Sequence, residues 1–266
     1  MQASIKVSRD PAVQYLLRLG DSCLIHAQRL AEWCGHGPVL EEDIALTNLS
    51  LDLLGQARAL LTHAGALDGQ GHDEDHLAFL RDERDVLNLT LVEQPMRRSS
   101  AHSPGGDFAD TVVRNMLVSV WLRLQWTQLL TSRDAELAAI AAKSLKETRY
   151  HVEHSAQWVV RLGDGTEESA RRVKAALERA WPYVPEMFAD DDTDEHAVAL
   201  GHGPRRSALR GAWRAQIAAV LAEAKLAMPA DGAWVSTGSR GVHSEHMGYI
   251  LAEMQSLQRA HPGGRW

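Results

Sequence analysis

The sequence is short of cysteine, phenyl rings, long apolar runs and basic charge, and each shortage removes a class of protein. Its two cysteines, Cys23 and Cys34, fall eleven residues apart in one predicted helix, hence roughly 16 Å apart at 1.5 Å per residue. A disulfide needs Cα atoms within about 7 Å, so both are expected as free thiols in the core. No window approaches the ~20 apolar residues that span a bilayer, and the opening MQASIKVSRDPAVQ lacks the apolar centre of a secretory signal. A cytoplasmic protein without a membrane partner is expected. The net charge is −7 with Lys and Arg scattered, so no basic field exists to hold a phosphate backbone, and nucleic acid is excluded as a partner. With only 3 Phe and 4 Tyr, and with β-branched runs short and isolated, strands have little to build on.

What is present favours helices. Ala, Leu, Arg, Glu and Gln are abundant, and 45% apolar residues in a 266-residue chain suffice for a sizeable core. Leu16, Leu19, Cys23, Leu24, Ala27, Leu30, Ala31 and Cys34 recur at helical spacing and predict a helix over 12–34, stopped by GHGP. A second helix is predicted over 41–64. A polar stretch then leads to a short helix over 77–88, and Pro95 opens a loop over 96–107. The segment 109–131 is apolar on nearly all sides, which marks a helix at the centre of a bundle. A fourth long helix over 134–162 follows a short turn, its inward stripe reading Leu137, Ile140, Ala141, Ser144, Glu147, His151, His154, Trp158 and Leu162. Accessory helices fill 167–260. Four long helices, joined in pairs by short turns with one longer crossover, predict a single all-α domain of 1–266, a ferritin-like up-down four-helix bundle with additional C-terminal helices.

Such bundles hold two irons with a Glu from each of two helices and a Glu-x-x-His from each of the other two. Here the second helix offers Asp52 with Gly55 three residues on, and the fourth offers Glu147 with Tyr150 three residues on and His151 one residue late. The first helix carries Asp21. The third has no acidic residue between Asp110 and Asp134. One reading is that Glu147, His151 and His154 still hold a metal with Asp52 and Asp21. The other, which the sequence favours, is a remnant whose polar residues are satisfied by hydrogen bonds and Arg–carboxylate contacts, with no catalytic residue and no metal in this chain.

The segments LRLGDSCLIHAQRLAEWCGHGPVLEEDIALTNLSLDLLGQAR, RDER followed by LVEQP, FADT, SRDAELAAIAAKSLKETRYH and LAEMQSLQRAHPG resemble, over nearly the whole chain, the structural C subunits of the multicomponent phenylacetyl-CoA epoxidases. The resemblance implies a non-catalytic component that packs against a homologous catalytic A subunit bearing the di-iron site. It further implies other small subunits and a reductase with FAD and an iron–sulfur cluster, the whole consuming NADPH and O2 to epoxidise the ring of phenylacetyl-CoA. A longer loop at 96–107 and an extended N-terminus depart from the family. Two rival readings remain: an active di-metal oxidoreductase, and a stand-alone helical acyl-CoA-binding protein. In the absence of its partner, such a chain is expected to self-associate.

Further residues stand out. Arg81, Arg84, Asp85 and Asn88 lie in a charged run that either contacts CoA or the partner, or forms a solvated helix face with internal ion pairs. Of the tryptophans, Trp33, Trp121, Trp126 and Trp158 read as core fillers, whereas Trp213, Trp234 and Trp266 fall outside the bundle and suit an interface. His243 and His246 lack nearby further ligands for zinc, and a helix-start or partner-contact role is expected of them.

Overall fold

The computed structural model describes residues 3–95 and 107–264, so most of the predicted 96–107 loop and Trp266 lie outside the described residues. Four long helices form: α1 (Pro11–Ala31), α2 (Leu40–Asp68), and later α5 and α6. Between the two pairs run α3 (Glu74–Phe79) and the single turn α4 (Thr90–Glu93). The second pair is α5 (Phe108–Leu129) and α6 (Ala135–Gly163), followed by α7 (Glu167–Ala180), α8 (Asp192–Leu200), α9 (Arg210–Glu223) and α10 (Glu245–Ala260). The α1–α2 and α5–α6 hairpins pack on each other through α2 and α6, giving the all-α, ferritin-like architecture. No strand occurs among the described residues.

The ends are set by local chemistry. Asp10, Asp107 and Asp134 each cap a helix, accepting from Ala12, Ala109 and Leu137 N–H at 2.8, 3.0 and 3.0 Å. The α2 helix ends where Gly69 takes φ +68°. The predicted first helix stops at Ala31, short of Cys34. The chain turns through Gly35 at φ +78°, which only glycine adopts freely, so Cys34 sits exposed in that turn instead of in the core. Cys23 alone is a core thiol.

As expected, α5 is buried on nearly all sides, from Ala109 through Leu129. Of its neighbours, α6 packs along one flank and α7 and α9 along others, and Trp33, in the turn after α1, donates to Thr111 Oγ1 at 2.8 Å. Trp213 of α9 is therefore an inner residue, 1% exposed, with its ring beside Trp181 and Phe188 and its indole N–H donating to Leu117 O at 2.9 Å. Its assignment as an interface residue fails because α9 packs its apolar face onto the bundle. Trp234 stays exposed. Trp33, Phe108 and Trp158 stack edge-to-face with centroids 5.8 and 5.0 Å apart and tie α5 and α6 to the turn after α1.

Two buried carboxylates lock the C-terminal segment to the crossover. Glu186 accepts from Thr90 N–H, Ser236 Oγ–H and Ser239 N–H at 2.9, 2.7 and 2.8 Å. Glu93 accepts from Asn88 Nδ2 and Ser244 N–H at 3.0 and 2.6 Å, and pairs with His243 Nδ1 at 2.8 Å. Burial pulls His243 towards its neutral form, but the bond to Glu93 and the charge of that carboxylate reverse this, and its pKa ends above the usual value.

Candidate functional site

A carboxylate at one position of a helix and an imidazole three or four residues later share a face, so the choice of three or four decides what points inward. On α2 the buried positions include Leu49, Leu53, Gln56 and Leu60; on α6 they include Ser144, Thr148, His151 and Ser155. Gly55 and Tyr150 fall outside these stripes. A Cβ on Gly55 would meet nothing within 4 Å, and Tyr150 is 50% exposed. Asp52 and Glu147 sit at the rim of the α2–α6 seam, with side chains 37% and 22% exposed. The positions that look inward are thus four residues on, at Gln56 and His151. Hydrophobic spacing alone does not resolve that single-residue difference.

The structure joins these residues across the seam. His151 Nε2 lies 3.0 Å from Asp52 Oδ2, Gln56 Nε2 donates to Glu147 Oε2 at 3.1 Å, and His154 Nε2 lies 2.8 Å from Glu42 Oε2. At the far end His63 of α2 meets the α6 cap Asp134 at 2.7 Å. From α1, Cys23 Sγ approaches Gln56 Oε1 at 3.8 Å. Burial, then the charges of Asp21 and Glu147, raise the Cys23 pKa far above its usual value, so the thiol stays protonated and is no nucleophile.

Sequence reasoning passes over His26. It lies on α1 one turn after Cys23, is buried, and neighbours Arg114, His151 and Asn115. Burial first, then the neighbouring Arg114 and His151, hold its pKa well below the ordinary histidine value, while Asn115 acts in the opposite direction. A neutral imidazole results. Its place three residues after Cys23, beside the stripe that includes Leu19, Cys23 and Leu30, was the available signal.

The inner layer therefore presents a thiol, an amide from Gln56, another from Asn115 and two imidazoles, with its carboxylates at the rim and engaged in pairs. Two irons require bridging carboxylates between them. These residues do not fit that pair, and among the described residues no group of three or more His, Cys, Asp or Glu is placed to hold a metal ion.

Asp21 has a different fate. Its side chain and that of Arg81 are fully buried and face each other in a two-pronged ion pair. Arg81 Nη1 donates to Asp21 Oδ2 at 2.9 Å, Nη2 donates to Oδ1, and Leu87 N–H donates to Oδ2 at 2.7 Å. Arg81 also donates to Leu77 O and, at 2.8 Å, to Asp85 O. Wrapping its own chain in this way breaks the predicted 77–88 helix into α3 and a 3-10 turn at Glu83–Asp85. Arg81 and Asn88, both fully buried, are thus part of the interior and cannot contact CoA or a partner from the surface. Arg84 is exposed, and Asp85 pairs with Arg9 at 2.6 Å.

What the fold defines is a ferritin-like bundle whose α2–α6 seam carries hydrogen-bonded polar pairs. All 266 residues match the family described as phenylacetic acid catabolic proteins, and the chain belongs to that family. It is 47% identical over 252 residues to the Escherichia coli (strain K12) protein named as the C subunit of 1,2-phenylacetyl-CoA epoxidase, covering 95% of this chain and 98% of that protein.

Proposed function

We propose that this chain is the non-catalytic, structural subunit of a multicomponent 1,2-phenylacetyl-CoA epoxidase, pairing with and stabilising a di-iron catalytic subunit in aerobic phenylacetate degradation. The observation that carries this reading is the near full-length similarity to a protein named as a C subunit. The inner layer supports it, since it offers the amides of Gln56 and Asn115, the thiol of Cys23 and the imidazole of His26 and lacks the bridging carboxylates that two irons need. The chain then holds no cofactor of its own; the irons reside in the catalytic subunit, and FAD and the iron–sulfur cluster in the reductase. Among the described residues no helix is long and apolar enough to cross a membrane, in keeping with a cytoplasmic complex.

A structural subunit needs a face to offer. Along α2, Leu40, Ile44, Leu51 and Leu54 are exposed at helical spacing, Leu40 by 72%, and Tyr150 of α6 is exposed as well. Covering such a stripe is what a partner helix would do, and without one the chain is expected to self-associate.

The test is reconstitution. Phenylacetyl-CoA, NADPH, O2 and reductase are combined with the catalytic subunit, with this chain, and with both. Epoxide is expected from the pair, none from this chain, and a catalytic subunit that loses activity or aggregates alone. A variant carrying Gly55→His, Tyr150→His and Asn115→Glu is expected to remain inactive by itself; epoxide from it alone would overturn the reading.

A further inference from the structure

His243, in the loop ahead of α10, and Glu93 of α4 have fully buried side chains. The imidazole lies between two oxygens, with Nδ1 2.8 Å from Glu93 Oε2 and Nε2 2.8 Å from Val86 O. A carbonyl oxygen can only accept, so Nε2 carries a hydrogen. The contact at Nδ1 then needs a second hydrogen, between ring and carboxylate. Glu93 accepts besides from Asn88 Nδ2 and from Ser244 N–H, at 3.0 and 2.6 Å, and donors of this number hold a carboxylate in its anionic form. The second hydrogen therefore belongs to the ring, and the closed geometry is that of an imidazolium.

Without that hydrogen a ring lone pair faces a carboxylate oxygen, both shut off from solvent, and the contact has no reason to stay closed. The surrounding charge favours the proton. Of the elements packed on α10, α4 brings Glu93 and the 83–85 turn brings Glu83, while no charged side chain of α3 bonds to the ring. Arg29 of α1 reaches the same end of α4 but is spent on the Glu93 backbone O, at 3.0 and 2.6 Å, and Arg84 is exposed. On the α10 side stand Glu245, exposed, and His246, half-buried. Burial works against the proton, but the bond and charge of Glu93, the bond to Val86 O and the charge of Glu83 outweigh it and raise the His243 pKa above the ordinary value.

The neighbouring chain is held by other bonds. Ahead of His243, Ser236 and Ser239 are bonded to Glu186, and Gly241 turns the chain at φ +76°. Beyond it, Met247, Ile250 and Leu251 are buried, and Gln255 Nε2 donates to Arg81 O at 3.0 Å. An opening at His243 is thus bounded by Ser239 on one side and Met247 on the other.

We propose that the His243–Glu93 pair is a proton-operated latch: protonated, it closes the segment 240–246 onto α4 and the 83–85 turn, and deprotonated, it releases that segment while the bundle stays folded. The latch is separate from the α2–α6 seam and does not rest on the epoxidase reading. The closed ring holds its proton more tightly than the open one. Closure is therefore fully supported below about pH 6.5, the value of a free imidazole, and the open fraction grows by up to about tenfold per pH unit above it until the pH passes the closed-state value.

Two measurements on the full chain test this. Nitrogen-15 NMR at about pH 6 is expected to show both ring nitrogens of His243 protonated. Hydrogen exchange between about pH 6 and 9 is expected to show the protection factor of the Ser244 amide falling by up to about tenfold per pH unit above about 6.5, after correction for the pH dependence of exchange itself, a fall that the Leu251 amide does not share. His243→Gln removes the titrating ring and is expected to leave Ser244 weakly protected with no pH dependence, whereas His246→Gln, which removes the other nearby imidazole, keeps the fall. The wild type and His246→Gln leave the pair intact, so they decide the matter even if His243→Gln does not fold. A neutral His243 ring at about pH 6, a Ser244 protection factor that does not change with pH in the wild type, or a fall that survives His243→Gln or vanishes in His246→Gln would each overturn the proposal.

Discussion

Asp21 on α1 and Asp52 on α2 are both acidic residues at candidate ligand positions of the same hairpin, and the protein treats them in opposite ways. Asp21 is sealed, with Arg81 in a two-pronged pair and Leu87 N–H behind it. Asp52 stays at the rim, a third exposed, paired with His151. In the sealed layer a charge is compensated completely, so it organises the surrounding chain and breaks a helix to do so. In the rim layer water carries part of the compensation, and the pairs hold the seam loosely. Two acidic residues of one hairpin thus serve different ends: one is a structural ion pair, the other a seam contact.

Breaking each pair separates the two layers most sharply. Asp21→Ala strands the buried Arg81 guanidinium and is expected to cost about 3–5 kcal/mol, read as a fall in the urea midpoint with unchanged m value. The joint replacement Asp21→Leu with Arg81→Met removes both charges and should recover most of that loss; a double variant no better than the single one would show that the pair acts through its backbone bonds instead. Next in size is the pH response of the inner layer. The folded-state pKa of His26 is depressed, so its contribution is present above about pH 6.5 and is lost as pH falls towards the folded value. The slope for this one proton is at most about 1.4 kcal/mol per pH unit. Denaturation of His26→Leu between pH 7 and 5 should be flatter than that of the wild type by up to that amount, and parallel curves would mean that the imidazole is accessible to protons. His243, with a raised pKa, works in the opposite sense: its contribution is full below about pH 6.5 and fades as pH climbs through the folded value. Asp52→Ala, at the rim, is expected to cost about 1 kcal/mol or less; a loss as large as that of Asp21→Ala would erase the distinction.

The bundle was legible because its signals are local. The GHGP stop after the first helix, the short turn before α6 and the apolar α5 are written within a few residues of where they act, whereas α2 runs on to Asp68, past its predicted end at 64. The site was legible only in composition. That Asp21 would meet Arg81 depends on two residues 60 apart in the chain, and no spacing rule reaches that far. The orientation of Gly55 and Tyr150 turned on whether the third or the fourth residue of a helix faces the neighbour, which packing decides. Trp213 looked peripheral by position and is central because α9 folds back onto α5. Cys34 looked central because its spacing fits α1, but the helix ends before it and the chain turns at Gly35. His26 carried a helical signal beside Cys23, but a di-iron pattern draws the eye to carboxylates and not to a lone imidazole on α1.

The proposal that this chain holds no metal centre is tested most directly by elemental analysis of the purified protein for iron, manganese and zinc, run beside light scattering with and without the catalytic subunit. No stoichiometric metal in this chain and a stable complex on mixing are predicted. About two metals per chain with no complex would contradict the structural role and make the protein an oxidoreductase in its own right.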